Sequence, residues 1–310
     1  MALTSFDEKY LNQLNLVLQI LPVIAREGTF ALKGGTAINL FERGLPRLSV
    51  DIDLCYPRFS EREQSLNEII TALETIRLSL SKQLPTIKVD RGRTTASEYK
   101  LLCATPQTVV KIEVNTTMRG HAFPLRVMSI HQQAEALLGQ YVEMTVVSRE
   151  ELFGGKICAA LDRQHPRDLF DVNLLLMEEG LPRPIILGFL VCLISHNRPI
   201  HELLSPNRQD MREAFYNQFD GMSDIPFTYE EYMATKEQLV SLLHTFLSTD
   251  DRLFLLSFKK GEPNWLLLGV EGAVKLPAVL WKLQNIRRLR QDSPQKHLYQ
   301  LSRLQAVLDS

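Results

Sequence analysis

The sequence predicts an α/β domain on a short mixed sheet, followed by a helical-bundle domain. Three observations carry this. Residues 1–147 alternate between stretches of helical period and short apolar runs of strand length. Acidic residues stand singly inside two of those runs, at Asp51 and Asp53 and again at Glu113. From Ser148 onward the pattern is helical nearly to the end, so we place the boundary near 147, with domains 1–147 and 148–310.

Residues 6–27 read as an amphipathic helix with Tyr10, Leu14, Val17, Leu18 and Leu21 on one side and Pro22 as a candidate kink. Phe30-Ala31-Leu32 is a short strand running into Gly34. Residues 60–83 form a second helix, with Leu66, Ile69, Ile70, Leu73, Ile76 and Leu80 as its stripe and Ser60 as its cap. Pro85 ends it. Strands follow over 86–90, 97–104 and 109–116, the last two joined at Thr105-Pro106. Segments 124–130 and 143–147 are short and apolar, and the second reads as a strand.

Lys33 to Leu54, KGGTAINLFERGLPRLSVDIDL, organises this first half. Gly34 and Gly35 let the backbone approach a ligand closely. Thr36 suits a helix cap, and Ala37, Ile38, Leu40 and Phe41 suit a short inward-packing helix. A glycine turn feeding a helix presents N–H groups that suit phosphate. Val50-Asp51-Ile52-Asp53-Leu54 alternates with period two, so Asp51 and Asp53 share one face. Two adjacent carboxylates repel unless a cation lies between them. Magnesium takes oxygen ligands of this kind together with water and substrate phosphate. Glu113 in VVKIEVN is again an acid inside an apolar strand, and taken alone it reads as an edge-strand glutamate facing water.

Bulk properties narrow the class. The net charge of −1 gives no overall nucleic-acid bias, so any such bias is local. Cys55, Cys103, Cys158 and Cys192 are isolated and lack zinc spacing, which reads as reduced thiols of a cytoplasmic protein. The first residues lack the pattern of a signal peptide, and no apolar run is long enough for a membrane span.

A second motif opens at Ser148, which with Glu151 forms a capping box. Leu152, Ile157, Ala160 and Leu161 can face a core. Lys156 lies between small residues, where its ammonium could reach a triphosphate. After the turn Gln164-His165-Pro166, the run Arg167-Asp168-Leu169-Phe170-Asp171 begins another helix. Asp168 and Asp171 are neighbours on one face, and Asp168 could also serve as that helix's cap.

The glycine pair, short helix and Asp-x-Asp strand resemble the signature of the DNA-polymerase-β-like nucleotidyltransferases. The fifteen residues between Gly35 and Asp51 extend that pattern by about a turn. The combination E-E-x-x-x-x-K-x-x-A-x-x-x-R-x-x-x-R-D-L-F-D is similar to the third and fourth motifs of the AbiEii/AbiGii toxin family, which includes the MenT toxins. GGTAINLF…R-x-S-x-DIDL, SFKKGEPNWLLLG and LPAVLWKLQNI extend the resemblance from about Leu32 to about Leu289.

The resemblance implies a nucleotidyltransferase toxin of a bacterial toxin–antitoxin, phage-defence system. It would transfer a nucleoside monophosphate from an NTP, with Mg2+, to the tRNA 3′ end. Gly34, Gly35 and Thr36 would hold phosphates beside Ser49. Asp51 and Asp53 would carry the metal, Lys156 would neutralise the triphosphate, and Arg167 would lie at the nucleotide. Asp168 or Asp171 would serve the nucleotide or the acceptor, with Glu113 as the third acid. A separately encoded antitoxin is implied as partner. Two other readings are a protein or small-molecule hydroxyl as acceptor, and a nucleotide-binding regulatory module without turnover. The intact Asp51/Asp53/Lys156 set disfavours the last. Finally, Lys275 to Arg303 holds seven Lys or Arg residues against Asp292 alone. It reads as one helix with an apolar stripe and a basic face that would suit RNA phosphates.

Overall fold

The computed structural model describes residues 6–92 and 98–310. It divides into two compact units: residues up to Ser148 together with Asp220–Pro226, and Arg149–Phe219 with Phe227–Ser310. Among the described residues no helix is long and apolar enough to cross a membrane.

The first unit begins with α1 (Glu8–Glu27), which continues through Pro22 and buries Tyr10, Leu14, Val17, Leu18 and Leu21 as its spacing predicts. Gly28 ends it at φ 78°, a conformation that favours glycine. Strands β1 (Ala31–Lys33) and β2 (Asp51–Cys55) flank α2 (Gly34–Ala37) and the wide helical turn Ile38–Glu42 that continues it. Then come α3 (Arg62–Gln83), β3 (Lys88–Arg91), β4 (Glu98–Ala104), β5 (Val109–Asn115), β6 (Arg126–Ser129), α4 (Gln132–Leu138) and β7 (Glu143–Val146). Ser97, where sequence spacing begins the fourth strand, lies outside the described residues.

The seven strands form one mixed sheet in the order β3-β4-β5-β2-β1-β7-β6. β2 lies centrally, parallel to β5 and antiparallel to β1. A central strand is held by neighbours on both edges, so its side chains are positioned more firmly than those of an edge strand. Ile52 and Leu54 are fully buried on one face, while Asp51 and Asp53 are half-exposed on the other. The register sets Asp51 opposite Lys111, and Asp53 opposite both Glu113 on β5 and Lys33 on β1.

Residues 220–226 strap this unit although they lie far along the chain. Asp7 N–H donates to the Gly221 carbonyl at 3.1 Å and Leu48 N–H to the Met222 carbonyl at 2.7 Å. Ser223 Oγ donates to the Pro46 carbonyl at 3.0 Å, and Arg47 and Ser223 form an isolated β-bridge.

The second unit is helical: α5 (Arg149–Arg163), α6 (Pro166–Glu178), α7 (Arg183–Ser195), α8 (Ile200–Leu204), α9 (Arg212–Gln218), α10 (Tyr229–Phe246), α11 (Thr249–Lys260), α12 (Trp265–Leu268), α13 (Pro277–Asp292) and α14 (Pro294–Asp309). Helices α5 and α7 cross at glycines. A Cβ on Gly154 would stand 2.3 Å from the Gly188 backbone, and one on Gly188 would stand 2.0 Å from the Glu150 carbonyl oxygen. No side chain fits there, so the first glycine of the Gly154-Gly155 pair serves helix packing.

Three local expectations fail for identifiable reasons. Thr36 lies inside α2, whose cap position is Lys33, and its hydroxyl is used on β2 instead. Ser60 does not cap α3, which starts at Arg62; its hydroxyl is bonded to Ser65 Oγ at 2.8 Å. The basic segment is two helices rather than one. Pro294 cannot continue α13 but suits a first turn, and Ser293 between them is extended at φ −148°.

Candidate active site

The acidic face of β2 is built by close approach. Gly34 takes φ +73°, and a Cβ there would lie 2.2 Å from Asp53 Oδ2. The missing side chain is what lets the Asp53 carboxylate sit against the turn. A Cβ on Gly35 would lie 2.9 Å from Ser49 Oγ and 3.0 Å from Arg47 Nη2. Gly34 is needed for both its backbone conformation and Asp53, while at Gly35 a side chain would have to displace Ser49 and Arg47. Thr36, fully buried, donates to the Asp51 carbonyl and has Ser49 Oγ at 3.0 Å. The hydroxyl pair ties the glycine turn to the start of β2. Gly34, Gly35, Thr36, Ser49, Asp51 and Asp53 thus form one constellation, as their spacing suggests.

Glu113 lies beside Asp53 in the sheet, and Lys100 on β4 donates to its Oε1 at 2.8 Å. The row across the sheet is Lys100, Glu113, Asp53, Lys33. Two adjacent carboxylates are flanked by a lysine on either side, a polar face on strands whose other face is apolar core.

Among the described residues no three His, Cys, Asp or Glu side chains gather in a metal-binding group. A divalent cation at this face would take Asp51 and Asp53 and complete its shell with water and substrate phosphate. That is the ordinary manner of magnesium. The same-face carboxylate pair and the side-chain-free wall at Gly34 fit such an ion.

In the second unit, α5 and α6 bring together the other motif residues. Lys156 Nζ donates to Asp168 Oδ1 at 2.8 Å and lies 3.0 Å from Asp171 Oδ2. Arg163, two turns beyond Lys156 on α5, donates through Nε to Asp168 Oδ2 at 2.6 Å. Burial opposes ionisation of Asp168, but Lys156 and Arg163 outweigh it and hold the carboxyl well below the usual carboxylate range. Asp168 does not cap α6. The cap is His165, whose Nδ1 accepts from Arg167 N–H at 3.2 Å, with Pro166 in the first turn. Gln164, at φ 50°, makes the sharp turn between the helices, and Tyr232 Oη donates to its carbonyl at 2.8 Å.

Two contributors are arginines of the quoted motifs whose roles the sequence alone does not show. Arg163 follows Lys156 by seven residues, a spacing that puts both on one helix face. Arg47 is the arginine of R-x-S-x-DIDL, two residues before Ser49 in the period of an extended segment.

No curated protein matches the chain. In the solved structures the chain resembles MenT4, the nucleotidyltransferase toxin Rv2826c from Mycobacterium tuberculosis H37Rv. The TM-score is 0.60 at 15% identity, over 80% of this chain and 87% of that one. At that identity the likeness speaks to the fold. The model of one family, described as nucleotidyl transferase AbiEii toxin, type IV toxin–antitoxin system, matches residues 16–285. That span includes the glycine turn, the Asp-x-Asp strand and the Lys156 helix, so the chain belongs to the AbiEii family of nucleotidyltransferase toxins of type IV toxin–antitoxin systems.

Proposed function

We propose that this toxin moves a nucleoside monophosphate from an NTP to an RNA hydroxyl, with the tRNA 3′ end as acceptor and Mg2+ on Asp51 and Asp53. The observation that carries this reading is the seating of the Asp53 carboxylate against the Gly34 turn, with Asp51 on the same strand face. The turn offers backbone N–H groups to phosphate, and the acids offer oxygens to a cation.

The acceptor oxygen forms a bond to the α-phosphorus. The bond from that phosphorus to the α,β-bridging oxygen breaks, and pyrophosphate leaves with its electron pair. The hydroxyl proton passes to Glu113, the carboxylate beside Asp53 on this face. Bound magnesium supplies neutralisation of phosphate charge. The chain's own task is mainly positioning and electrostatics, which phosphoryl chemistry chiefly requires. Lys156, Asp168, Asp171 and Arg167 carry the roles their motif implies in this family. A separately encoded antitoxin is the expected partner, and the four buried, unbridged cysteines suit the reducing cytoplasm.

The test is incubation of the protein with each labelled NTP and Mg2+, together with total cell RNA and protein. Label in the tRNA fraction, lost on 3′-end oxidation, supports the reading. Label in protein or small molecules redirects the acceptor, and no label with any NTP overturns the transferase reading.

A further inference from the structure

Arg47 is 2% exposed, among the largest fully buried side chains of the molecule. A guanidinium stays charged at any working pH, and burying one is costly unless its donors are used. Nη1 donates to the Leu48 carbonyl at 2.8 Å. Nη2 stands 3.0 Å from the point a Gly35 Cβ would occupy, so the guanidinium presses against the backbone of the glycine turn. Ser49, two residues on, stands against the same glycine and within 3.0 Å of Thr36 Oγ1.

The chain invests structure in holding this segment. Pro46 and Leu48 are bonded by Ser223 and Met222, and Arg47 itself bridges to Ser223. The strap returns from far along the sequence and meets residues 46–48 just behind the turn. Leu45, at φ 66°, aims the segment. A non-glycine residue in that conformation is strained, and strain of this kind persists only where the surroundings over-determine it.

We propose that Arg47 is a positioning residue for nucleotidyl transfer, its buried guanidinium bracing the Gly34-Gly35 turn from behind while residues 220–226 hold it in place. The inference rests on the transferase reading above. A charge in a low-dielectric setting also acts strongly over several ångströms. Arg47 therefore adds positive potential where the turn would receive phosphate, without touching substrate.

Arg47→Lys keeps the charge and most of the volume but loses the planar fork. It should fold, with KM for NTP raised about tenfold and kcat changed less, because the turn loses the hydrogen-bonded fork that holds it in place. Arg47→Ala should lose about a hundredfold in kcat/KM and regain part of it with guanidinium at non-denaturing concentration. An arginine that only braces a loop would lower Tm without a KM shift and without rescue.

Arg47→Lys with wild-type KM and kcat overturns the proposal, whether or not Arg47→Ala folds. So does a folded Arg47→Ala variant that guanidinium leaves unchanged. A wild-type protein that neither binds nor turns over any NTP overturns the transferase reading itself, and this inference with it.

Discussion

The Lys156 ammonium is shared by two aspartates, Asp168 Oδ1 at 2.8 Å and Asp171 Oδ2 at 3.0 Å, both of them 1% exposed. Arg163 completes the group from the other side of Asp168. Two carboxylates and two cations balance, and the lysine stands between the acids. Removing it leaves like charges buried together. Lys156→Ala should therefore cost about 3–5 kcal/mol of stability, the usual result of breaking a buried pair. Urea unfolding checks this, and a variant as stable as wild type would show that the ammonium does not hold the acids. Activity loss in Lys156→Ala must be read with its unfolding curve, because the residue serves the fold whatever else it does.

The same cluster gives a pH dependence. Asp168 titrates well below its unfolded value because Lys156 and Arg163 overcome the opposing effect of burial. A depressed folded pKa contributes stability that is complete above the unfolded value, near 3.8, and lost as pH falls. Acid unfolding should steepen below about pH 4, and Asp168→Asn should flatten it there while lowering stability at neutral pH. Equal acid limbs for wild type and Asp168→Asn would remove this pairing as a source of stability.

Asp51→Asn and Asp53→Asn should each abolish transfer with little change in Tm. Both side chains are half-exposed on the polar face of β2, so the strand's packing through Ile52 and Leu54 stays intact. Asparagine keeps the size and removes the charge that a magnesium ion needs. Turnover in magnesium equal to wild type, for either variant, would remove that aspartate from the metal site.

Much of this site was legible because it lies in local pattern. The glycine pair and the period-two acids each follow from a few neighbouring residues, and the structure joins them as the spacing implies. The central place of β2 was not legible, since it depends on pairing with β5, sixty residues on. Nor was the strap: nothing in Gly221-Met222-Ser223 signals that it will bond Pro46 and Leu48. Thr36 and Ser60 show a different limit. A hydroxyl near a helix start suits a cap, but a nearer partner took each of them, β2 for Thr36 and Ser65 for Ser60. Lys156 was legible as a lysine among small residues, yet its two acids became its partners only once α5 and α6 had folded back at Gln164.

The basic C-terminal segment yields the last prediction. Composition makes Arg287, Arg288 and Arg290 equal candidates for RNA phosphate contacts, but their surroundings separate them. Arg287 Nε donates to the Gly261 carbonyl at 2.9 Å, and Arg290 Nη1 donates to the Lys260 carbonyl at 3.0 Å and to Glu262 at 2.7 Å. Both bring positive charge to the C-terminal end of α11, where carbonyls lack helical partners and the dipole favours cations. Among the described residues Arg288 pairs only with Asp292, one turn on, and its side chain is 78% exposed. If RNA is the acceptor, Arg288→Gln should flatten the salt dependence of RNA binding by about one unit of log–log slope. Replacing all three should flatten it hardly further, while Arg287→Gln alone should cost about 1 kcal/mol of stability. The measurements are RNA affinity against salt and urea unfolding for each variant. A drop of about three units in the triple variant would mean that Arg287 and Arg290 leave α11 to bind phosphate. An unchanged slope in all variants, with transfer to RNA intact, would place the acceptor's phosphate contacts elsewhere in the chain.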